Sequence, residues 1–346
     1  MPKSFVVRSR REKISFIVQK RTVMMIASLV LLNLAVFFIS ICLGNEFISP
    51  HNVIQTMTGQ GSDEHVLILN ILRLPRMVVA LLAGAALGVA GAILQGIVRN
   101  PLASPDIIGI TGGASFAAVA FIAYFAGNVS IHLLPVAAFC GAGLVSVVIY
   151  LLAWSKGVTS TRLVLIGIGV SAVMSALTML MISVSPSQSA GQAYIWMAGS
   201  VYGSSWSNVL TLLPWVVVFI PFAFIYARNI TVQELGDDVA MGLGSSLQRQ
   251  RAVLLLISVA LAGSAVAVAG AIGFVGLVAP HIARKLVGPS FGGLIPTAAL
   301  IGGLVLLLAD TVGRTLFLPQ DIPAGVFTAA VGAPFFIYLL YRNRNR

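Results

Sequence analysis

PRMVVALLAGAALGVAGAILQGIV, residues Pro75–Val98, carries a single charge in 24 positions and ends against Arg99. A helix needs about 20 mostly apolar residues to cross the hydrocarbon core of a bilayer, so this stretch is long enough to span it. Its middle, LAGAALGVAGAIL (Leu82–Leu94), returns as LAGSAVAVAGAIG (Leu261–Gly273), identical at nine of thirteen positions. Small residues at helical spacing, Gly84 with Gly88 and Gly263 with Ala267, let helices approach closely in lipid, where packing rather than hydrophobicity drives association. Both copies read as tightly packed membrane helices.

The rest of the chain follows the same pattern. Of 346 residues, 58% are apolar and 9% charged, with a mean hydropathy of +0.99. A soluble domain carries about 25% charged residues, so this chain has too little polar material for a water-facing surface. It reads as an all-α, polytopic membrane protein. Cutting at charges, prolines and polar clusters gives ten spans: Val23–Leu43, Pro75–Val98, Ile107–Ala126, Leu133–Trp154, Leu163–Ser183, Tyr194–Leu213 or a segment shifted toward Ile225, Ala252–Ala271, Phe274–Val287, Leu294–Asp310 and Ala324–Tyr341. Pro214 and Pro221 interrupt the sixth apolar run, and Pro280 lies inside the short eighth. The first run is longer than the core of a signal peptide, about 7–15 residues, and lacks an Ala-x-Ala cleavage site, so it reads as a retained span. Cys42 and Cys140 lie in apolar runs without metal-ligand spacing and read as packing residues.

The formal charge of +11 would point to nucleic acid in a soluble protein. Here nine of the net charges sit in two tails, residues 1–22 and 342–346, which flank one membrane domain over residues 23–341. That distribution removes the nucleic-acid reading. With ten spans both basic tails share one side, and the positive-inside rule puts them in the cytoplasm. Eighteen of the 21 basic residues then fall inside. Arg73, Arg76 and Arg314 alone face outward. They could snorkel at helix ends, Arg314 with Asp310 four residues before it, or form a basic site for an acidic partner.

The two repeat copies fall in spans two and seven, an offset of five crossings, so they run in opposite directions. The halves are about residues 73–183 and 252–341. Inverted repeats of this kind are a transporter arrangement, with the substrate path at the interface between the halves.

Several chemistries are missing. No GxxxxGK[ST] frame surrounds any of the five lysines, so ATP, if used, is bound by another subunit. Asp106, Asp310 and Asp321 fall near span ends rather than at mid-membrane, where a charge costs about 2.5–3.5 kcal/mol, which disfavours ion-coupled transport. His51, His65, His132 and His281 form no HExxH pair, and the chain reads as non-catalytic, with no metal or cofactor of its own. The cytoplasmic connection of residues 228–251 is the main polar element outside the tails. It reads as one or two short helices broken at Gly242 and Gly244, a natural surface for a soluble motor.

LRLPR (Leu72–Arg76), GAALGVAGAILQGIVRNPLASPDIIGI (Gly84–Ile110), ELGDDVAMGLG (Glu234–Gly244), AGAIGFVGLVAPHIAR (Ala269–Arg284), LLLAD (Leu306–Asp310) and IPAGVFTAAVGAPFFIYLL (Ile322–Leu340) resemble the permease subunits of bacterial iron-chelate and cobalamin ABC importers, the FecCD-type family. The likeness runs from about residue 20 to the C-terminus. It implies a multi-pass subunit of the bacterial cytoplasmic membrane that pairs with a second permease, the same chain or a related one. It also implies two cytoplasmic ATPases that carry ATP and Mg, an extracytoplasmic solute-binding protein, and an iron-siderophore as substrate.

By motif, the resemblance further implies that Arg73, Arg76 and Arg314 dock acidic residues of the binding protein. Leu235, Gly236, Asp237, Asp238, Ala240, Gly242, Leu243 and Gly244 match the coupling helices that fit the ATPase. Asn100 and Leu102, in the RNPLASP turn, match one cytoplasmic gate, and Ser160, before span five, matches the other. Cobalamin or haem is the alternative substrate. A secondary carrier that works without ATPase, or a membrane scaffold without flux, is the alternative from another class.

Overall fold

The computed structural model describes residues 4–8, 15–44, 46–125, 129–155 and 157–343. A two-stranded antiparallel ribbon opens the chain, β1 (Ser4–Arg8) against β2 (Ser15–Gln19), with Ser4 opposite Gln19. It runs directly into α1 (Lys20–Cys42), which starts three residues before the boundary read from hydropathy. Two short helices follow, α2 (Pro50–Met57) and α3 (Asp63–Leu67), each capped by a serine: the Ser49 and Ser62 hydroxyls accept from backbone N–H groups of the first turn.

A π-helical turn, Ile68–Arg73, joins α3 to α4 (Leu74–Val98). Next come α5 (Ile110–Phe125), α6 (Leu134–Ala153), α7 (Ser160–Val184), α8 (Ser187–Met197) and α9 (Trp206–Ile225). The polar connection forms α10 (Ala227–Gln233) and α11 (Asp237–Gly242), and α12 (Leu247–Ala269), α13 (Val275–Val287), α14 (Phe291–Thr315) and α15 (Ala324–Asn343) complete the chain.

Among the described residues, eight helices are long and apolar enough to cross a membrane. The third and eighth of the ten spans are shorter, α5 with 16 residues and α13 with 13. They hold corresponding places, each following the helix that carries one copy of the repeat. The sixth span is the shifted segment: α9 takes Trp206–Ile225 and leaves Tyr194 on the separate α8. Pro214 and Pro221 lie inside α9 without ending it. Each removes one N–H, and in a membrane bundle the freed carbonyl is tolerated where neighbours and side chains compensate.

The repeat helix α4 is the axis of the bundle, with 78% of its most apolar window buried. It packs on α12, α13 and α14. The approach is backbone to backbone: a Cβ on Gly84 would lie 2.2 Å from the Gly302 carbonyl, and one on Gly91 only 1.7 Å from the Gly276 carbonyl. Only glycine admits such contact, which accounts for the spacing read from the sequence. The peripheral α1 leans on α14, where the Asn33 amide donates to the Leu300 carbonyl at 3.2 Å and to the Leu29 carbonyl of its own helix at 2.8 Å.

Candidate functional sites at the two ends of the bundle

Arg76 opens α4 and Arg99 closes it, about 35 Å apart at 1.5 Å per residue, so the two candidate regions sit at opposite ends of one helix. At the first end, Arg73, Arg76 and Arg314 line one cavity of about 550 Å³ together with Gly44, Glu46, Tyr202 and Asp321. The structure thus gathers the three sequence-predicted arginines from two distant segments. It also buries them: each is 6–8% exposed.

Their partners differ. Arg76 forms a two-pronged pair with Asp321, Nη1 to Oδ2 at 2.6 Å and Nη2 to Oδ1 at 2.8 Å, while its Nε donates to Asp310 at 2.8 Å. Tyr202 stacks near the guanidinium, 5.4 Å from its ring centre. Arg73 donates to the carbonyls of Ile41 (2.7 Å), Cys42 and Glu46. Arg314 donates to the Leu43 carbonyl at 2.8 Å and to both the carbonyl and the hydroxyl of Ser40. The last carbonyls of a helix have no partner within it and carry the negative end of its dipole. Two arginines therefore cap the C-terminal end of α1. The intrahelical pair read from the sequence, Asp310 with Arg314, is the looser contact at 3.7 Å; the closer partner of Asp310 is Arg76. Asp321 was not singled out as a site residue, although it stands in the turn before the IPAGVF motif.

At the other end, Asn100 is exposed and folds its turn locally, its Oδ1 accepting from the Leu102 N–H at 2.9 Å; Leu102 is half-buried. The half-buried Ser160 donates to the Ile97 carbonyl at 2.8 Å, so the RNPLASP turn and the turn before α7 meet at the last turn of α4. Behind them the Thr111 hydroxyl donates to the Asp106 carboxylate at 2.6 Å, and the Ser171 hydroxyl of α7 donates to the Asp106 carbonyl at 3.3 Å.

The polar connection over residues 235–244 is split by Gly236, at φ 114°, and by Gly244, at φ 78°; Gly242 ends α11 between them. Leu235, Val239, Met241 and Leu243 are 49–65% exposed. Asp238 is also exposed, whereas Ala240 is buried and anchors the segment. Glu234 pairs with Arg284 of α13 at 2.9 Å, and Asp237 pairs with Arg99 at 2.9 Å and Arg251 at 2.8 Å. In the sequence Arg99, Arg251 and Arg284 count among the eighteen basic residues on the tail side, with nothing in their spacing to pair them with Asp237 or Glu234. Among the described residues no group of His, Cys, Asp and Glu could hold a metal ion.

An arginine-lined cavity at one end and an exposed apolar helix at the other fit a permease worked by soluble partners. The FecCD transport family profile matches residues 31–342. The chain belongs to the FecCD transport family. Within the family it is 53% identical to a probable siderophore transport system permease protein, YfhA, of Bacillus subtilis (strain 168), over 92% of this chain and 95% of that one. It is 46% identical to the achromobactin transport system permease protein CbrC of Dickeya dadantii (strain 3937), over 97% and 96%. It is 45% identical to the iron(3+)-hydroxamate import system permease protein FhuG of Bacillus subtilis, over 90% and 95%. Among solved structures, a metal-chelate type ABC transporter in an inward-facing conformation matches with a TM-score of 0.82 and 29% identity, covering 92% of this chain and 99% of that one. The fold is that of an ABC importer permease, a multi-pass protein of the cytoplasmic membrane that works with ATPase and binding-protein partners.

Proposed function

We propose that this chain is the non-catalytic permease subunit of an ATP-driven importer that carries a ferric siderophore across the cytoplasmic membrane by alternating access. What supports the substrate class most is near-full-length similarity to relatives whose names specify siderophore, achromobactin and ferric hydroxamate transport. A loaded solute-binding protein docks through acidic side chains on the cavity of Arg73, Arg76 and Arg314. The chelate then enters a path between this subunit and a second permease, identical or related. Two ATPases below hold ATP and Mg, and their closure pushes on Leu235–Gly244. That motion opens the gates at Asn100, Leu102 and Ser160. Both basic tails lie in the cytoplasm, as the positive-inside rule requires.

Docking through this cavity is an exchange of partners, since each arginine is already hydrogen-bonded. An incoming carboxylate competes with Asp321 for the outer edge of Arg76, while Asp310 holds the guanidinium from behind.

The test is uptake into liposomes that contain the complete transporter, with the binding protein outside and ATP inside. A panel of ferric siderophores, ferric citrate, haem and cobalamin identifies the substrate. Uptake of a ferric siderophore that depends on both ATP and binding protein is expected. Uptake of cobalamin or haem alone overturns the substrate, and uptake by the permease without ATPase overturns the ATP-driven class.

A further inference from the structure

Asp237, the first residue of α11, accepts two arginines on one oxygen: Oδ1 lies 2.9 Å from Arg99 Nη2 and 2.8 Å from Arg251 Nη2. Each arginine is bound up with a gate. Arg99 closes α4 in the left-handed conformation, φ 55°, and is followed directly by Asn100. Arg251 lies in the second turn of α12, its side chain 1% exposed. Its Nη1 donates to the Val158 carbonyl at 2.7 Å, and its Nη2 lies 3.5 Å from the Ser160 hydroxyl, which itself donates to the Ile97 carbonyl. One carboxylate on the coupling helix is thereby tied to both gate turns.

The mechanical setting favours transmission. The short α11 is flanked by two glycines at positive φ and presents an apolar outer face, so it can tilt as a unit. A buried guanidinium cannot shed its charge, and leaving it without its carboxylate is strongly unfavourable. When α11 moves, Arg251 follows Asp237, and because its planar fork also grips Val158, the 158–160 turn is drawn with it. Arg99 carries the same displacement to the Asn100 turn.

We propose that Asp237, Arg251 and Arg99 form the linkage that converts displacement of the coupling helix into simultaneous movement of the two cytoplasmic gates, with Arg251 and Arg99 as positioning residues. This rests on the coupling and gating reading given under the proposed function.

The experiment uses the complete transporter in liposomes, in a Cys140→Ser background. Arg251→Gln removes the charge and keeps amide donors on a shorter side chain, and Arg251→Lys keeps the charge and the reach without the fork. Arg251→Gln is expected to co-purify with its ATPases, while chelate moved per ATP falls about tenfold, within the usual range of coupling between sites. Arg251→Lys recovers part of that loss, and Arg99→Gln falls in the same direction. A cysteine introduced at the exposed Thr159 reports the gate through its maleimide labelling rate, with and without vanadate-trapped ATPase. The trapping-dependent change seen in the parent is expected to disappear in Arg251→Gln.

Wild-type transport per ATP together with an intact gate response in Arg251→Gln overturns the linkage. If that variant does not fold, Arg99→Gln, altered at a side chain one-third exposed, decides by the same two readouts. A parent that shows neither ATP-driven uptake nor a trapping response refutes the coupling reading and the linkage with it. A coupled parent with an indifferent variant refutes the linkage alone.

Discussion

Replacing Asp321 by asparagine should strengthen docking of the solute-binding protein. The cavity holds three guanidinium groups against the carboxylates of Glu46, Asp310 and Asp321, so its formal charge is nil. Neutralising Asp321 leaves one net positive charge. A carboxylate that arrives on Arg76 would lie about 5–6 Å from that of Asp321, where repulsion is roughly 0.7–3 kcal/mol for effective permittivities between 80 and 20. The Asp321 side chain is 24% exposed, which places the gain toward the low end, about 3–10-fold in affinity. Above about 0.1 M salt the Debye length falls to about 10 Å and the gain should shrink. The fold should lose no more than about 1 kcal/mol, because Arg76 keeps Asp310 and the lost pair is partly solvated. Arg76→Gln is a poorer probe: it strands Asp310, 1% exposed, without its close partner, at a cost of about 3–5 kcal/mol. The assay is binding of purified solute-binding protein to the permease in nanodiscs, at low and at physiological ionic strength, alongside thermal unfolding. If Asp321→Asn weakens docking at low salt, or leaves it unchanged, with stability retained, no partner carboxylate visits Arg76.

Gly242 has open space where a Cβ would be added, so Gly242→Trp should leave the chain folded and the binding protein docked yet abolish ATP-driven uptake; normal uptake removes Gly242 from the ATPase contact. Gly91→Ala drives a methyl into the Gly276 carbonyl and should lower the thermal stability of the solubilised permease by about 1–3 kcal/mol or more, whereas Gly143→Ala, which meets nothing within 4 Å, should be neutral or slightly stabilising.

The spans were legible because lipid leaves one solution for a long apolar run, a helix with every backbone bond made internally. The close approach along α4 was legible too, in the spacing of Gly84 and Gly88. Where prolines broke the pattern, hydropathy could not choose between Tyr194–Leu213 and the shifted segment, since both are apolar; the helix that formed keeps Pro214 and Pro221 in its interior. Arg73, Arg76 and Arg314 stood out because a ten-span threading sets them against the charge rule, but nothing in their spacing showed that two of them hold the end of α1. Those acceptors are main-chain carbonyls, which leave no mark in a sequence. Arg251 was hidden for the opposite reason: a cytoplasmic arginine obeys the rule, and only its burial beside Asp237 and Val158 distinguishes it.

The grip on α1 also bears on how the protein is made. This helix is synthesised well before α14, yet the groups that satisfy Asn33, Ser40 and its terminal carbonyls include Leu300 and Arg314, between 267 and 274 residues later. At about 5–20 residues per second, roughly 15–50 s of translation separate donor from acceptor. Throughout that interval α1 must wait in the membrane with polar atoms unmet. Insertion of this permease therefore finishes by returning to its beginning, and a truncation before α14 should leave the first helix, not the last, as the target of membrane quality control.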